Sequence, residues 1–383
     1  MKLILLSFLC FTTLMHSGCS KEEESGSFLM QKLSSFDLPL TDNMRVNSFC
    51  VRSFHDRDGK DFLYYLNGVD NSIYVYDVAN RSIDHKMRIE REGPQGTGRV
   101  VGFSIIGKDS ILLSSGGYPS NFLVGKSGQI IDKFEYKWED SQPPTFSQWD
   151  SWYYRDASVK DGVVYFPQEI NFLKIDKDYF EQNPIAAYDL RTRKSRLLSF
   201  KYAEDYFEKN LPRPMIFSGD ENYVYFSMIG NHTIYRIDKM TESAEEYEVK
   251  SKYITNKIQN RNKVAGMDDV LRYNATNPRY MGIYDDPYRN VTYRLVILPP
   301  EDLGSAEEKF VQLDRFPERF SIIVMDKEMK ILGEHLFPNN IYHPAGIFVS
   351  SEGLCVPKTH PGYYVENGKE TAMTIDVFNF TVE

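Results

Sequence analysis

The 383-residue chain has little of several residue types: 4 cysteines, 3 tryptophans and 7 histidines. Cys10 and Cys19 fall near the N-terminus, which leaves Cys50 and Cys355 for the body of the protein and excludes a disulfide-stapled scaffold. An exported chain permits one bridge between these two, yet each sits in an apolar strand context where a buried free thiol is equally at home. Basic charge is also short, with 45 Lys and Arg against 54 Asp and Glu and a net of −9. Nucleic acid needs a basic footprint, so it is excluded as a partner. There is no Gly-x-Ser-x-Gly elbow and no ordered Ser, His and Asp set. The glycine-rich Arg91-Glu-Gly-Pro-Gln-Gly-Thr-Gly98 lacks the Lys-Ser/Thr of a phosphate loop and reads as a bend between strands. His335, His343 and His360 fall late in the chain without ligand spacing along one strand, and no metal or cofactor is expected.

What is present begins at the N-terminus. Lys2 followed by the apolar run to Met15 has the layout of a secretory signal and is too short to span a bilayer as a helix. The run ends in His16-Ser-Gly-Cys19, which resembles a bacterial lipobox, although His16 stands where an aliphatic residue is usual. Cys19 would then carry the lipid anchor; each buried acyl CH₂ contributes about 0.8 kcal/mol, so several chains hold a protein at a membrane. Ser20-Lys-Glu-Glu-Glu-Ser25 resembles the Lys and acidic run that marks Bacteroidota lipoproteins for the cell surface. The expected organisation is a signal peptide over 1–18, an acidic linker over 19–33 and a folded domain over 34–383. The expected location is the outer membrane, facing outward, with the periplasmic face as the other orientation.

Ser72-Ile-Tyr-Val-Tyr-Asp-Val-Ala-Asn-Arg-Ser-Ile83 is an apolar strand closed by Asp, a polar turn and a second strand. Similar units end at Gly125, Asp189, Asp238, Asp326 and Asn379, at intervals of 48, 64, 49, 88 and 53 residues. Recurrence near fifty with strand and turn signals between is the mark of a β-propeller, here with six blades. An earlier strand precedes each marker, as in Asp61-Phe-Leu-Tyr-Tyr-Leu66, Tyr223-Val-Tyr-Phe226 and Leu354-Cys-Val356, rich in β-branched and aromatic residues. The last unit leaves no room for an outer strand. Phe36-Asp-Leu-Pro-Leu40 is expected to supply it and close the ring, with Pro39 tolerable only on an outer strand. The charged stretches Ser251 to Asn274 and Glu301 to Leu313 read as surface helices inserted in the fifth blade.

Laid out together, Asp61–Leu66 with Asn71–Asp77, the Glu92-Gly-Pro turn and Asp286-Pro-Tyr-Arg-Asn-Val-Thr-Tyr-Arg294 make the chain resemble a Bacteroidota lipoprotein family, domain of unknown function 4221. That family is grouped with TolB-like six-bladed propellers. The resemblance implies fold and location and brings no catalytic residues with it.

Candidate ligand-binding residues come from two places. Asp286, Tyr288, Arg289, Tyr293 and Arg294 either stitch neighbouring blades or line a polar pocket near the axis, where Arg289 and Arg294 could grip an anionic or sugar ligand. Trp149 and Trp152 offer flat faces for a sugar ring or pack beneath a loop. His55-Asp-Arg-Asp-Gly-Lys-Asp61 lacks the distal Glu of a calcium loop and reads as a hairpin turn. The sequence thus points to a lipid-anchored propeller that binds a glycan, peptide or partner protein. The competing reading is a hydrolase or lyase using His343 or His360 with the Asp286 to Arg294 segment.

Overall fold

The computed structural model describes residues 27–116, 121–134, 155–167, 183–203, 215–255, 258, 267–302, 308–367 and 371–383. Cys19, Trp149 and Trp152 lie outside them. Strand β1 (Phe28–Pro39) is followed by a first blade of β2 (Val51–His55), β3 (Asp61–Asn67), β4 (Ser72–Asp77) and β5 (Ser82–Arg88). The second blade is β6 (Arg99–Gly107), β7 (Ser110–Gly116), β8 (Asn121–Gly125) and β9 (Ile130–Phe134). The third is β10 (Ser158–Lys160), β11 (Val163–Pro167), β12 (Ile185–Asp189) and β13 (Lys194–Leu197), and the fourth is β14 (Met215–Gly219), β15 (Tyr223–Met228), β16 (Thr233–Asp238) and β17 (Ala244–Glu248). After helix α1 (Met267–Thr276) comes the fifth blade, β18 (Arg279–Asp286), β19 (Val291–Leu298), β20 (Arg319–Asp326) and β21 (Ile331–Leu336), with helix α2 (Glu308–Arg315) between its second and third strands. The sixth blade has only β22 (Phe348–Ser350), β23 (Gly353–Pro357) and β24 (Ala372–Val382) in sequence, with helix α3 (Pro361–Asn367) before β24. Its fourth, outer strand is β1. The molecule is a six-bladed propeller whose ring is closed by the N-terminal strand.

The repeating marker has a physical basis. Where the third strand of a blade turns into the fourth, the terminal Asp accepts backbone N–H groups ahead of it. Asp189 Oδ1 takes those of Arg191 and Thr192 at 2.8 and 3.0 Å, and Asp238 Oδ1 those of Met240 and Thr241 at 2.8 and 2.7 Å. Asp77 and Asp326 cap Asn80 and Lys330 in the same way. Each of these turns then places one residue in the left-handed region: Arg81, Arg193, Glu242 and Met329, at φ 55, 58, 59 and 62°. Gly125 has no carboxylate to offer, and its turn uses Gly128 at φ 91°.

Apolar residues of neighbouring blades meet in the wedges between them. Tyr64 and Phe62 of the first blade pack with Phe103 and Leu113 of the second, and Val164 and Phe166 of the third face Leu112 of the second. Phe217 and Phe226 of the fourth meet Tyr165 and Ile185 of the third, and a larger cluster unites the fourth, fifth and sixth. The last wedge joins the sixth blade to the first through Phe36, Leu38, Ile375 and Val377 on one side and Leu63, Tyr65 and Tyr76 on the other. Cys50 and Cys355 are buried free thiols in two different wedges, and burial pushes Cys355 up to about 12.

β1 runs antiparallel to β24 along its whole length, from Phe28 opposite Val382 to Pro39 opposite Ala372. It starts earlier than position 34 because its first half pairs by backbone while leaving Leu29 and Leu33 exposed, so apolar alternation does not announce it. The joint has a polar centre. The buried Asp376 carboxylate accepts Tyr342 Oη at 2.8 Å and the Ser35 hydroxyl, with Lys32 Nζ at 3.2 Å and Lys358 Nζ at 3.1 Å.

In each antiparallel blade the first-to-second and third-to-fourth turns lie at one end, and the remaining loops at the other. α1 and α2 therefore share a face, where Arg272 of α1 covers the Phe310 ring of α2 at 4.9 Å. α1 begins later than Ser251, and residues 251–255 are irregular chain.

Leu38 is fully buried in the wedge that closes the ring. Replacing it with Ala is expected to cost about 2–5 kcal/mol in denaturant unfolding. A loss below about 1 kcal/mol would show that β1 does not carry closure.

Candidate functional site

The inner strands β2, β14, β18 and β22, with the residues leading into β10, surround a cavity of about 210 Å³ on the propeller axis. Its lining is graded. Val51, Arg52, Phe217, Ile283, Ile347 and Phe348 are buried, whereas His55, Ser218, Tyr284 and Asp285 are half-buried and Pro287 is exposed. The cavity thus runs toward the face opposite the helices.

Charge on the axis is largely satisfied from within. Arg52 is buried with Nε 3.1 Å from Asp156 Oδ2, while its Nη1 donates to Val51 O at 3.0 Å and its Nη2 to Arg155 O. Burial pulls the guanidinium down, but Asp156, Cys50 and Tyr284 together outweigh it and the group is held above its ordinary range. Arg155 Nε donates in turn to Met215 O at 3.0 Å, and Asp156 N to Phe217 O at 2.8 Å, binding the third blade to the fourth. Asp285 forms an ion pair with Lys327; burial raises its carboxyl in spite of that pair.

Three buried oxygens of the lining residues, Asp156 Oδ1, Ser218 Oγ and Tyr284 Oη, have no hydrogen-bond partner and lie behind the wall of the cavity, while Arg52 Nε has its ion pair with Asp156 but no hydrogen bond. An unsatisfied buried polar group costs about 1–3 kcal/mol, so three around one cavity are unusual. Burial holds Tyr284 as the neutral phenol. Its ring is seated over Gly282, next to a bulge in β18. A Cβ at Gly282 would lie 2.9 Å from the ring, so the bare backbone there is what admits it.

Around the mouth lies a strap of charged and hydroxyl groups. Asp61 Oδ1 is 2.6 Å from His55 Nδ1 and accepts Tyr288 Oη at 2.5 Å, while Oδ2 accepts both Ser351 N and Ser351 Oγ at 2.7 Å. Tyr288 of the fifth blade thereby reaches the first across the sixth. The fully buried Asp286 accepts Tyr288 N and Arg289 N at 3.0 Å, and Arg289 Nη1 and Tyr293 Oη at 2.9 Å. Arg289 also donates to Ser350 O and Ser351 O at 3.2 and 2.9 Å.

Asp286, Tyr288, Arg289 and Tyr293 are thus brought into one joint between blades, beside the cavity. Arg294 is not, because consecutive strand residues face opposite ways. It lies fully buried between the fourth and fifth blades, donating to the carbonyls of Asn231, His232 and Val249 and to Ser227 Oγ, with Tyr280 stacked at 3.5 Å. Burial lowers it to about 10, so it stays charged at neutral pH. His343 and His360 do not line the cavity and lie against Arg315 O at 3.0 Å and Phe316 O at 3.3 Å at the end of α2; burial takes His343 down to about 4. Among the described residues no cluster of three His, Cys, Asp or Glu side chains is placed to hold a metal ion. Arg52, Asp156, Ser218 and Tyr284 escaped sequence reasoning, since each stands alone in a strand or its lead-in. Only Arg52, an arginine inside an apolar strand, gives a local signal.

The family described as domain of unknown function 4221 matches this sequence over residues 40–336. The chain belongs to that DUF4221 family. A crystal structure of a DUF4221 member from Bacteroides vulgatus superposes with a TM-score of 0.78 at 22% identity, covering 94% of this chain and 100% of that one. A Bacteroides fragilis protein described as a candidate exported protein gives 0.53 at 10% identity, over 92% of this chain and 95% of that one. These likenesses support the six-bladed fold of this DUF4221 chain. No curated protein matches it.

The strap predicts a pH dependence. Burial alone would raise the Asp61 carboxyl, but hydrogen bonds from His55, Tyr288 and Ser351 overcome it and hold the group well below the ordinary range. The unfolded chain therefore takes up the proton first as pH falls. Stability present above about pH 4 is withdrawn progressively below it. Asp61→Asn is expected to lower Tm at pH 7 and flatten its fall below about pH 4. An unchanged acid slope would mean that Asp61 is not the group that titrates.

Proposed function

We propose that this DUF4221 protein is a lipid-anchored binding propeller of the bacterial cell envelope, held at the outer membrane through Cys19 and facing outward. Its axial cavity receives one unit of an extracellular ligand, a glycan or peptide, rather than serving as a reaction centre. The observation that carries this reading is the axial cavity of about 210 Å³, which opens on the face opposite the helices and is walled by both polar and apolar side chains. The location rests on the signal-like N-terminus with Cys19 and Ser20–Ser25, and the exported description of the Bacteroides fragilis relative accords with it. Asp286, Tyr288, Arg289 and Tyr293 serve the site by fixing the strand end that carries Tyr284 and Asp285.

Two measurements test the proposal. Cells fed an alkyne fatty acid should label the protein, Cys19→Ala should lose both label and membrane sedimentation, and protease added to intact cells should digest the wild type. Survival of the protein in shaved cells would place it on the periplasmic side. For binding, the mature protein in detergent is screened by thermal shift against neutral sugars, organic acids, amines, and amino acids with dipeptides. At least one class should raise Tm saturably, and Ser218→Leu, which fills the cavity, should abolish the rise. No shift with any class, or an equal shift in the filled variant, would refute an axial binding site.

A further inference from the structure

Resting on that reading of Cys19, we infer that the rim of the sixth blade where β1 begins is a bilayer-docking surface, which sets its exposed apolar side chains into the boundary between headgroups and hydrocarbon. Leu29 of β1 is 55% exposed, Val382 of β24 48% and Ile331 of β21 39%. Apolar residues scattered singly over a surface need no explanation, but these three meet at one strand end. Phe28 stands opposite Val382 in the pairing of β1 with β24, stacks on Phe380 at 6.0 Å and lies against the backbone of Gly333, two residues beyond Ile331. Leu29 projects from the opposite side of the same strand, so apolar groups surround the strand end.

The reach of the chain decides what covers this rim. Residues 20–27 alone separate Cys19 from Phe28, a stretch that spans at most about 32 Å whatever its conformation. β1, with 12 residues, is about 36 Å long. Its first residue lies at the end of the blade where third strands turn toward fourth strands, because β24 is the third strand of its blade and finishes opposite Phe28. That is the end to which the cavity runs, and α1, α2 and α3 stand at the other. An acylated Cys19 therefore cannot be carried to the helical end, and the bilayer holding it lies within one tether length of Leu29, Ile331 and Val382. Charge selects the mode of contact. Glu22, Glu23 and Glu24 precede the rim, and Glu383 accepts the Ser27 hydroxyl at 3.0 Å beside it, so anionic lipid is not attracted and apolar burial is what remains. The mouth is thereby held beside the bilayer, and a ligand reaches the cavity along the membrane surface.

The test couples the Cys19 thiol of the mature protein to a maleimide lipid in phosphatidylcholine vesicles, with and without brominated acyl chains; Cys50 and Cys355 are buried and stay unreacted. Leu29→Trp and Ile331→Trp report on the rim, Val311→Trp on α2 reports on the helical end, and the wild type supplies the background of the 3 native tryptophans. Above that background, the two rim variants should lose at least about twice the emission that Val311→Trp loses to brominated chains. Adding Leu29→Asp and Val382→Asp to the Ile331→Trp protein should bring its quenching down to the level of Val311→Trp. Equal quenching at all three positions, or more at Val311→Trp, overturns the inference, as does quenching that survives the two aspartates. A dimer of the uncoupled protein that the same two aspartates dissolve would assign the rim to a second copy and overturn it likewise. Because the lipid is attached chemically, these outcomes do not depend on acylation in cells. Absence of the alkyne label would remove the natural anchor and leave the docking result unchanged, whereas failed docking would leave the anchor in place.

Discussion

The pairing of β1 with β24 is the constraint on which the rest depends. Five blades are continuous stretches of chain, but the sixth exists only when residues near the two ends of the described chain meet. Blades pack only against their neighbours, so an open joint would expose two apolar wedge faces at once and leave β24 as an unpaired edge. The polar centre of the joint makes the pairing specific. Asp376 has its hydrogen-bonding capacity met by Ser35 from β1 and by Tyr342 from its own blade, with Lys32 and Lys358 as counter-ions. A one-residue slip of β1 would turn Phe36 and Leu38 out of the core and carry Ser35 away from that carboxylate.

Closure is reinforced on the mouth face. Tyr288 bridges from the fifth blade to Asp61 of the first, and Arg289 ties the fifth to the Ser350–Ser351 turn of the sixth. These contacts straddle the blade that is assembled from two chain segments. The same blade contributes Ile347, Phe348 and Val349 to the axial cavity. The geometry of the cavity is therefore set by ring closure, and closure and site are one mechanical unit.

The fold was legible because its signals are local. The Asp-capped turn after the third strand recurs in four blades for a steric reason, so Asp77, Asp189, Asp238 and Asp326 marked them, and Pro39 marked an outer strand. The start of β1 was less legible, since Leu29 and Leu33 point outward while the backbone still pairs. Helices were foreseen in the fifth-blade insertions, though α1 occupies only the end of the first. α3 gave no signal, as its Pro-Gly start reads as a turn. The cavity was hardest to see. Its polar residues come from blades one, three, four and five, at positions 52, 156, 218 and 284, and no spacing rule links Arg52 to Asp156 or Ser218 to Tyr284. The Asp286 to Arg294 segment stood out by composition, yet composition does not distinguish charges that bind a ligand from charges that bind a neighbouring blade.

That distinction turns on where each donor goes. Arg289 gives its hydrogens to Asp286 and two carbonyls, and Arg294 gives its own to three carbonyls and a hydroxyl, so their charge is used in holding blades together. Around the axis the full charges are likewise paired, Arg52 with Asp156 and Asp285 with Lys327. A chain of net −9 also repels anions over long range before they reach the mouth, so the paired charges on the axis meet few of them.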